Sequence, residues 1–444
     1  MPIEICTVNG FTKTGGNSVA VKVDDEVVIL DMGLNMENYI RYTEDREDTH
    51  HTTYAQLLKA EAVPDYSLIK DWEKMVKAIV PSHAHLDHIG AIPFASKFYP
   101  DAAVICSPYT AEVLKSILQD DKINIPNKII VLNLNSSYKI SDKITIEFVY
   151  ITHSIPHAAL IVVHTPYGKI LYGNDYKIDR QPTLGQKPNL ERLKQLGEEG
   201  DVVLAIIECL YAHEHRKMPS ESVAKQMLKD VMLGVNSDGK AMIVTTFSSH
   251  IARLKSIVEM GKKMNRKIVF IGRSLSKYVK AAQNINLINF EQEVKLVSFK
   301  DKMEKELKKI LKEGKEKYLI VCTGHQGEPR AILSRLARKE LPFHFDPGDI
   351  IVFSCSVIPV ELNVDAREKL EAALRKYNVR IFKDVHVSGH AAREDHRDLI
   401  EMVKPKMIIP GHAGAERGKL LLELAEQLGY KNNKLMKNGE RIIL

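Results

Sequence analysis

A two-domain α/β chain is predicted here by three observations. The chain has 444 residues with 44% apolar content, its strand-length apolar runs stop abruptly on polar groups, and segments of helical period lie between them. A single core rarely grows past about 250–300 residues, so this length asks for two. Runs such as "LIVC" and "IIVF" lack the alternation of a half-solvated strand and suit strands buried on both faces.

In chain order, "VVILDMG" ends on Asp31, "VKAIVPSHAH" on two histidines, "FVYITHS" on His153 and "KILYGNDY" on Asp175. "VVLAIIEC" then delivers Glu208, "AMIVTTFSSH" His250, "LIVCTGHQGE" and "IIVFSCS" polar loops, and "KMIIPGHAG" His412. "HIARLKSIVEMGKKM" and "EPRAILSRLARKE" have helical period, and strands alternating with such segments indicate α/β rather than all-β architecture. Between the Asp31 strand and the histidines, Glu37 to Lys77 is polar and charged; it reads as a surface insertion, part loop and part helix, with His50 and His51 solvated. No repeat of 20 to 50 residues and no low-complexity tract interrupts the pattern.

Sixty-three basic against 57 acidic residues leave a net charge of +6, which permits a polyanionic partner without demanding one. The cysteines (Cys6, Cys106, Cys209, Cys322 and Cys355) are widely spaced, so reduced, buried thiols in a cytoplasmic protein are expected. The first residues lack a basic stretch followed by an apolar one, and no run of 18 apolar residues occurs, so neither export nor a membrane is expected.

The densest chemistry lies in "SHAHLDHIGAIP", residues 82 to 93. Neutral imidazoles and carboxylates are ligands for zinc and its neighbours, and catalytic sites keep a coordination position open for water. His83 and His85, two apart on an extended segment, can point the same way, while Asp87 and His88 in the next turn can face a second ion. His153, Asp175 and His412 each follow an apolar run, as ligands arriving from separate strands would; singly, each equally suits a capping or core-satisfied polar group.

Asp31 in "LDMG", His83, His85, Asp87, His88, His153, Asp175 and His412 together resemble the ordered motifs of the metallo-β-lactamase superfamily. The resemblance implies an αββα sandwich. It also implies one zinc on His83, His85 and His153, a second on Asp87, His88 and His412, Asp175 bridging both, and Asp31 holding the motif loop. The native metal stays open, because the same donors accept manganese (Mn2+) as well as two Zn2+.

The long segment between Asp175 and His412 is foreign to the shorter hydrolases of that superfamily. "IIECLYAHEH", "TTFSSHIARL" and "HVSGHAAREDH" look like motifs A, B and C of the β-CASP nucleases, placing Glu208, His250 and His390 at those positions. The implied layout is a metallo-β-lactamase domain over 1–195 and 377–444 with an α/β β-CASP domain inserted at 196–376. "THSIPH", "NDYKIDRQPTLG", "GRSLSKYV", "VCTGHQGEPRAILSRLA", "GDIIVFSCSVIP" and "HVSGHAA" resemble the ribonuclease J family over nearly the whole chain, in its compact archaeal-type form. His157 stands where that family usually has Asp, His325 where it has Ser, and "ECLYA" replaces Ser-Asp-x-Thr-Asn, which bears on substrate preference rather than on the metal ligands. His164, His213, His215, His344 and His396 have no individual claim, whereas His386 is placed to support the loop of His390.

Phosphodiester hydrolysis needs an activated water, charge stabilisation and a proton for the leaving oxygen. Asp87 or Asp175 could orient the nucleophile; His390, with Glu208 on its other ring nitrogen, suits the general acid; His250 suits a grip on the scissile phosphate. The family resemblance implies 5′-to-3′ exonucleolysis of single-stranded RNA favouring a 5′-monophosphate, sometimes with endonucleolysis, a homodimer, and RNA-decay partners. For a terminal phosphate pocket the candidates are Arg273, Ser274, Ser388, Gly389 and His390, combining charge, hydroxyl and backbone N–H. The alternatives are a β-CASP endoribonuclease similar to the cleavage and polyadenylation factor nuclease, a small-molecule hydrolase and an inactive RNA-binding subunit. "SGH" in motif C and "CTGHQGEP" favour the exonuclease.

Overall fold

A computed structural model describes residues 3–43, 52–358 and 360–444; His50 and His51 lie outside them. The chain divides into two compact units, the first comprising 1–180, 187–218 and 389–444, the second 181–186 and 219–388.

The first unit holds two sheets among the described residues. One has seven strands in the order Arg441–Ile443, Ile3–Asn9, Ser18–Val23, Glu26–Leu30, Val76–Val80, Ala103–Cys106 and Ile129–Val131. The other has six, ordered Ile408–Gly411, Val202–Glu208, Gly168–Gly173, Ala159–Thr165, Thr145–Tyr150 and Ser136–Lys139. Alternate residues of both, including Val28, Leu30, Val80, Phe148, Ile161, Tyr172 and Ile206, share one core, which makes the pair a sandwich. On the outer face of the six-stranded sheet, Leu160, Val162 and Leu171 pack with Leu193 and Leu196 of helix Leu190–Glu199, Leu399 and Ile400 of Arg393–Val403, and Leu421 and Leu424 of Ala415–Gln427. The expected layering of helix on sheet on sheet is therefore present on that side.

Two sequence expectations change. Val202–Glu208 pairs in parallel with both Gly168–Gly173 and Ile408–Gly411, so this strand belongs to the sandwich, and the second unit comprises 181–186 and 219–388 rather than 196–376. An isolated apolar run carries no mark of which sheet it will join. The charged stretch Glu37 to Lys77 is also less superficial than its composition suggests, because Leu57, Tyr66, Ile69 and Trp72 are buried. Those apolar residues are too sparse to stand out among the charges.

The second unit is built on a six-stranded sheet ordered Val294–Val297, Lys267–Ile271, Tyr318–Cys322, Met242–Thr245, Ile350–Phe353 and Arg380–Phe382, with every pairing parallel. Ile243, Ile320, Ile351 and Phe353 are fully buried in its core, as continuous apolar runs in a parallel sheet should be. The chain leaves Lys267–Ile271 towards one edge and its neighbour Tyr318–Cys322 towards the other. That is a topological switch point, where the strands' carboxyl ends form a crevice. No described helix is long and apolar enough to cross a membrane.

Candidate metal centre

Strand Val76–Val80 is followed by Pro81 and a bend at 82–84, and His85, with extended backbone, leads into the short helix Leu86–Ile89. The segment divides its donors between two groups, His83 and His85 in one and Asp87 and His88 in the other. His83 Nε2 lies 3.0 Å from His85 Nδ1, and His153 Nε2 lies 3.2 Å from the same atom. Asp175 Oδ2 is 3.6 Å from both His83 Nε2 and His153 Nε2 and 3.2 Å from His88 Nε2, and its Oδ1 is 3.3 Å from His412 Nδ1. Two groups result, His83–His85–His153–Asp175 and Asp87–His88–His412–Asp175, with the ligand atoms of each within 4.8 Å of one another and Asp175 common to both.

This donor set fits a divalent cation. Three imidazole nitrogens converge on one point, where they cannot all hydrogen-bond to each other, and the buried Asp175 Oδ1 has no hydrogen-bond partner among the described residues. Burial pushes His83 and His153 well below the usual histidine range and His85 down to about 4, leaving them in the neutral form that binds metals. At His88 burial also opposes charge, but Asp175, Asp31 and Asp87 outweigh it and raise the group.

A second set of side chains orients these ligands. Asp31 Oδ2 accepts from His88 Nδ1 at 2.7 Å and from Tyr172 OH at 2.8 Å, while its Oδ1 accepts from Ser82 N at 2.7 Å. His153 Nδ1 donates to Gly389 O at 2.7 Å, which turns Nε2 to the cluster, and His412 Nδ1 lies 3.0 Å from Asn17 Oδ1. Two glycines are sterically required: a Cβ at Gly33 would come within 1.7 Å of Asp87 O, and one at Gly389 within 2.6 Å of Ser154 N.

Beside the cluster, His390 Nδ1 pairs with Glu208 Oε2 at 3.1 Å, and His390 Nε2 faces Asp175 Oδ2 at 3.9 Å. Glu208 Oε1 accepts the backbone N–H groups of Tyr176 and Ala391, both at 3.2 Å, so its partners are a histidine and the main chain, not a structural arginine. Burial works against charge on His390, yet Glu208 and Asp175 raise it to about 9.

In the second unit, His250 is the N-cap residue of helix Ile251–Lys263 but makes no side-chain capping bond; its Nε2 lies 3.4 Å from Glu221 Oε2. Arg273 is exposed at the start of helix Arg273–Asn284, on the carboxyl side of the switch-point strand, and Ser274 Oγ lies 3.0 Å from Ser248 Oγ. Ser388 is half-buried. His386 Nδ1 lies 3.3 Å from Arg253 Nη1. His164 pairs with Glu147 at 2.7 Å, His396 is buried against Tyr176 OH at 2.7 Å, and His213, His215 and His344 are exposed.

Asn17, Ser82, Tyr172, Glu221 and Arg253 escaped the sequence reading. Asn17 had a signal in the double glycine of "TGGNS", where Gly15 and Gly16 adopt positive φ and bring the chain to the site. Tyr172 had none, since a tyrosine inside an apolar strand looks like a core residue.

Residues 12–187 match the metallo-beta-lactamase superfamily, 239–366 the ribonuclease J beta-CASP domain, and 376–433 the Zn-dependent metallo-hydrolase RNA specificity domain. The chain is 42% identical to ribonuclease J of Methanocaldococcus jannaschii, covering 99% of this chain and 98% of that one. With ribonuclease J of Pyrococcus abyssi it shares 41% identity over 98% of this chain and 96% of the relative. Ribonuclease J 1 of Streptococcus pyogenes is 30% identical over 100% of this chain and 74% of its own length. A crystal structure of a protein of unknown function from Enterococcus faecalis V583 matches with a TM-score of 0.69 over 100% of both chains at 19% identity, a likeness of fold.

Proposed function

The chain belongs to the ribonuclease J family, and from that premise we propose that it hydrolyses RNA phosphodiesters by a two-metal mechanism, mainly as a 5′-to-3′ exonuclease favouring 5′-monophosphate ends. The doubled His/Asp cluster joined through Asp175, with the Glu208–His390 pair at its side, carries the reading. His83, His85, His153 and Asp175 would hold one ion, and Asp87, His88, His412 and Asp175 the other; zinc suits the donors and manganese is acceptable. When bound, the ions supply charge stabilisation for the phosphoryl oxygens and water activation at neutral pH.

The protein's own groups do the rest. Glu208 and Asp175 raise His390 to about 9, which favours its charged form. Glu208 fixes its Nδ1, so Nε2 offers the proton to the leaving 3′ oxygen, a contribution of about 10²–10⁴ in rate. Asp87 and Asp175 are the carboxylates able to take the proton of the attacking water. His250 is assigned to the scissile phosphate. Arg273, exposed at the start of its helix, suits a 5′-phosphate by charge and bidentate geometry, with Ser274, Ser388, Gly389 and His390 as the further candidates. Single-stranded RNA is the substrate, the cytoplasm the compartment, and a homodimer the working assembly.

The deciding experiment follows RNA labelled internally and at the 5′ end, bearing a 5′-monophosphate, triphosphate or hydroxyl, with and without chelator. Labelled mononucleotide released from the monophosphate form and abolished by chelator is expected. Internal fragments indifferent to the 5′ group would replace this reading with an endonuclease like the cleavage and polyadenylation factor nuclease. Equal rates on hydroxyl and monophosphate ends would remove the phosphate pocket.

A further inference from the structure

The second unit contains a buried ion pair that the proposed mechanism does not use. Arg253 is 0% exposed and grips Glu221 as a fork, Nε to Oε1 at 2.6 Å and Nη2 to Oε2 at 2.9 Å. Its remaining nitrogen, Nη1, donates to Ser354 O at 3.0 Å, Ser354 Oγ at 2.9 Å and Val385 O at 3.2 Å. Ser354 Oγ itself donates to Val385 O at 2.8 Å. One guanidinium therefore joins the start of helix Glu221–Gly234, the helix Ile251–Lys263, the end of strand Ile350–Phe353 and the segment that runs into Ser388.

Replacing a buried pair of this kind with apolar side chains is often harmless to stability, so its mere presence is weak evidence of a structural purpose. The shared oxygen is more telling. Oε2 of Glu221 faces Arg253 and, at 3.4 Å, also Nε2 of His250. An arginine–carboxylate fork is complete without a third member. Because the fork fixes both carboxylate oxygens, the carboxylate cannot swing to follow the ring, and the ring must settle against it. His250 opens its helix without making a side-chain capping bond.

We infer that Glu221 and Arg253 are positioning residues for the reaction: Glu221, immobilised by Arg253, sets the orientation and the proton-bearing nitrogen of His250. The inference rests on the reading of His250 as a substrate-binding residue. Both are argued to act through His250 and not on the substrate directly.

The test is a double-mutant cycle on full-length, metal-loaded protein, with kcat and KM measured on 5′-monophosphorylated single-stranded RNA for Glu221→Gln, His250→Ala and the pair. Metal content and thermal unfolding are recorded alongside. Glu221→Gln is expected to raise KM on the order of tenfold with kcat little changed, as for lost uniform binding, and to add nothing in the His250→Ala background. The chemical shifts of the His250 ring nitrogens should move as well, which a purely structural pair would not require. If Glu221→Gln does not fold, Arg253→Lys keeps the buried positive charge, withdraws the fork and takes its place in the cycle. Equal effects in both backgrounds, or a lower unfolding temperature with an unchanged KM, would overturn the positioning role and leave His250 standing. A His250→Ala enzyme with parental KM and kcat would instead remove His250 from substrate binding, and this inference with it.

Discussion

The metal-ready cluster of the first unit and the Glu221–Arg253 pair of the second both consist of ionisable groups withdrawn from water, but they are balanced differently. Glu221 has its cation in the same chain; burial would raise its carboxyl, yet His250 and Arg253 hold it well below the usual range. The cluster around Asp175 has five histidines and two carboxylates that fall into two groups sharing Asp175. A buried set that is self-neutralising can be read as architecture or positioning, whereas one whose imidazole and carboxylate donors converge on common points has the chemistry of a cation site.

The sharpest way to break this contrast is at Asp175. Asp175→Asn should lose bound metal and nuclease activity together, by metal analysis and RNA cleavage, while His390→Ala should keep its metal and lose about 10²–10⁴ in rate. Halved metal content in His390→Ala would move that residue into the ligand set. Arg253→Met probes the other cluster: leaving Glu221 buried without its cation should cost about 3–5 kcal/mol by denaturant unfolding, with metal content unchanged. Asp31→Asn disturbs a partner of His88, not a ligand, and should weaken metal binding by about 10–100-fold in a competition titration.

The smallest effect concerns a histidine outside both clusters. Burial holds His157 down to about 4, against an ordinary value of 6.5, so it is neutral in the native protein and gains a proton on unfolding at mildly acidic pH. Its contribution to stability therefore falls as pH drops from about 6.5 to about 4. His157→Asn should flatten that decline, a difference on the order of 1 kcal/mol at pH 5.5. Denaturation curves at pH 7.5 and 5.5 that shift in parallel for both proteins would contradict it.

What was legible in the sequence follows from the same physics. Residues 82 to 93 announce themselves because a metal site needs particular atoms at close spacing, and strand ends deliver His153, Asp175 and His412 after recognisable apolar runs. The family motifs then indicated Glu208 and His390, which the fold brings to 3.1 Å. Strand partners were not legible: Val202–Glu208 reads alike as an edge of either domain until its neighbours are known. Nor were Tyr172 and Arg253, whose hydrogen bonds span 141 and 132 positions of chain and leave no local pattern.

Asp31, Asp175 and His412 all stand at strand ends with left-handed backbone, at φ of 58°, 56° and 60°. Most side chains resist that conformation, and Asn, Asp and His are the non-glycine residues that accept it most readily. The backbone at these corners thus admits nearly the same short alphabet as the chemistry does. Glutamate or cysteine, which could bind a cation equally well, would meet resistance from the chain before any ion was offered. Drift at these corners is held by two independent filters, and a change that satisfies one will usually fail the other.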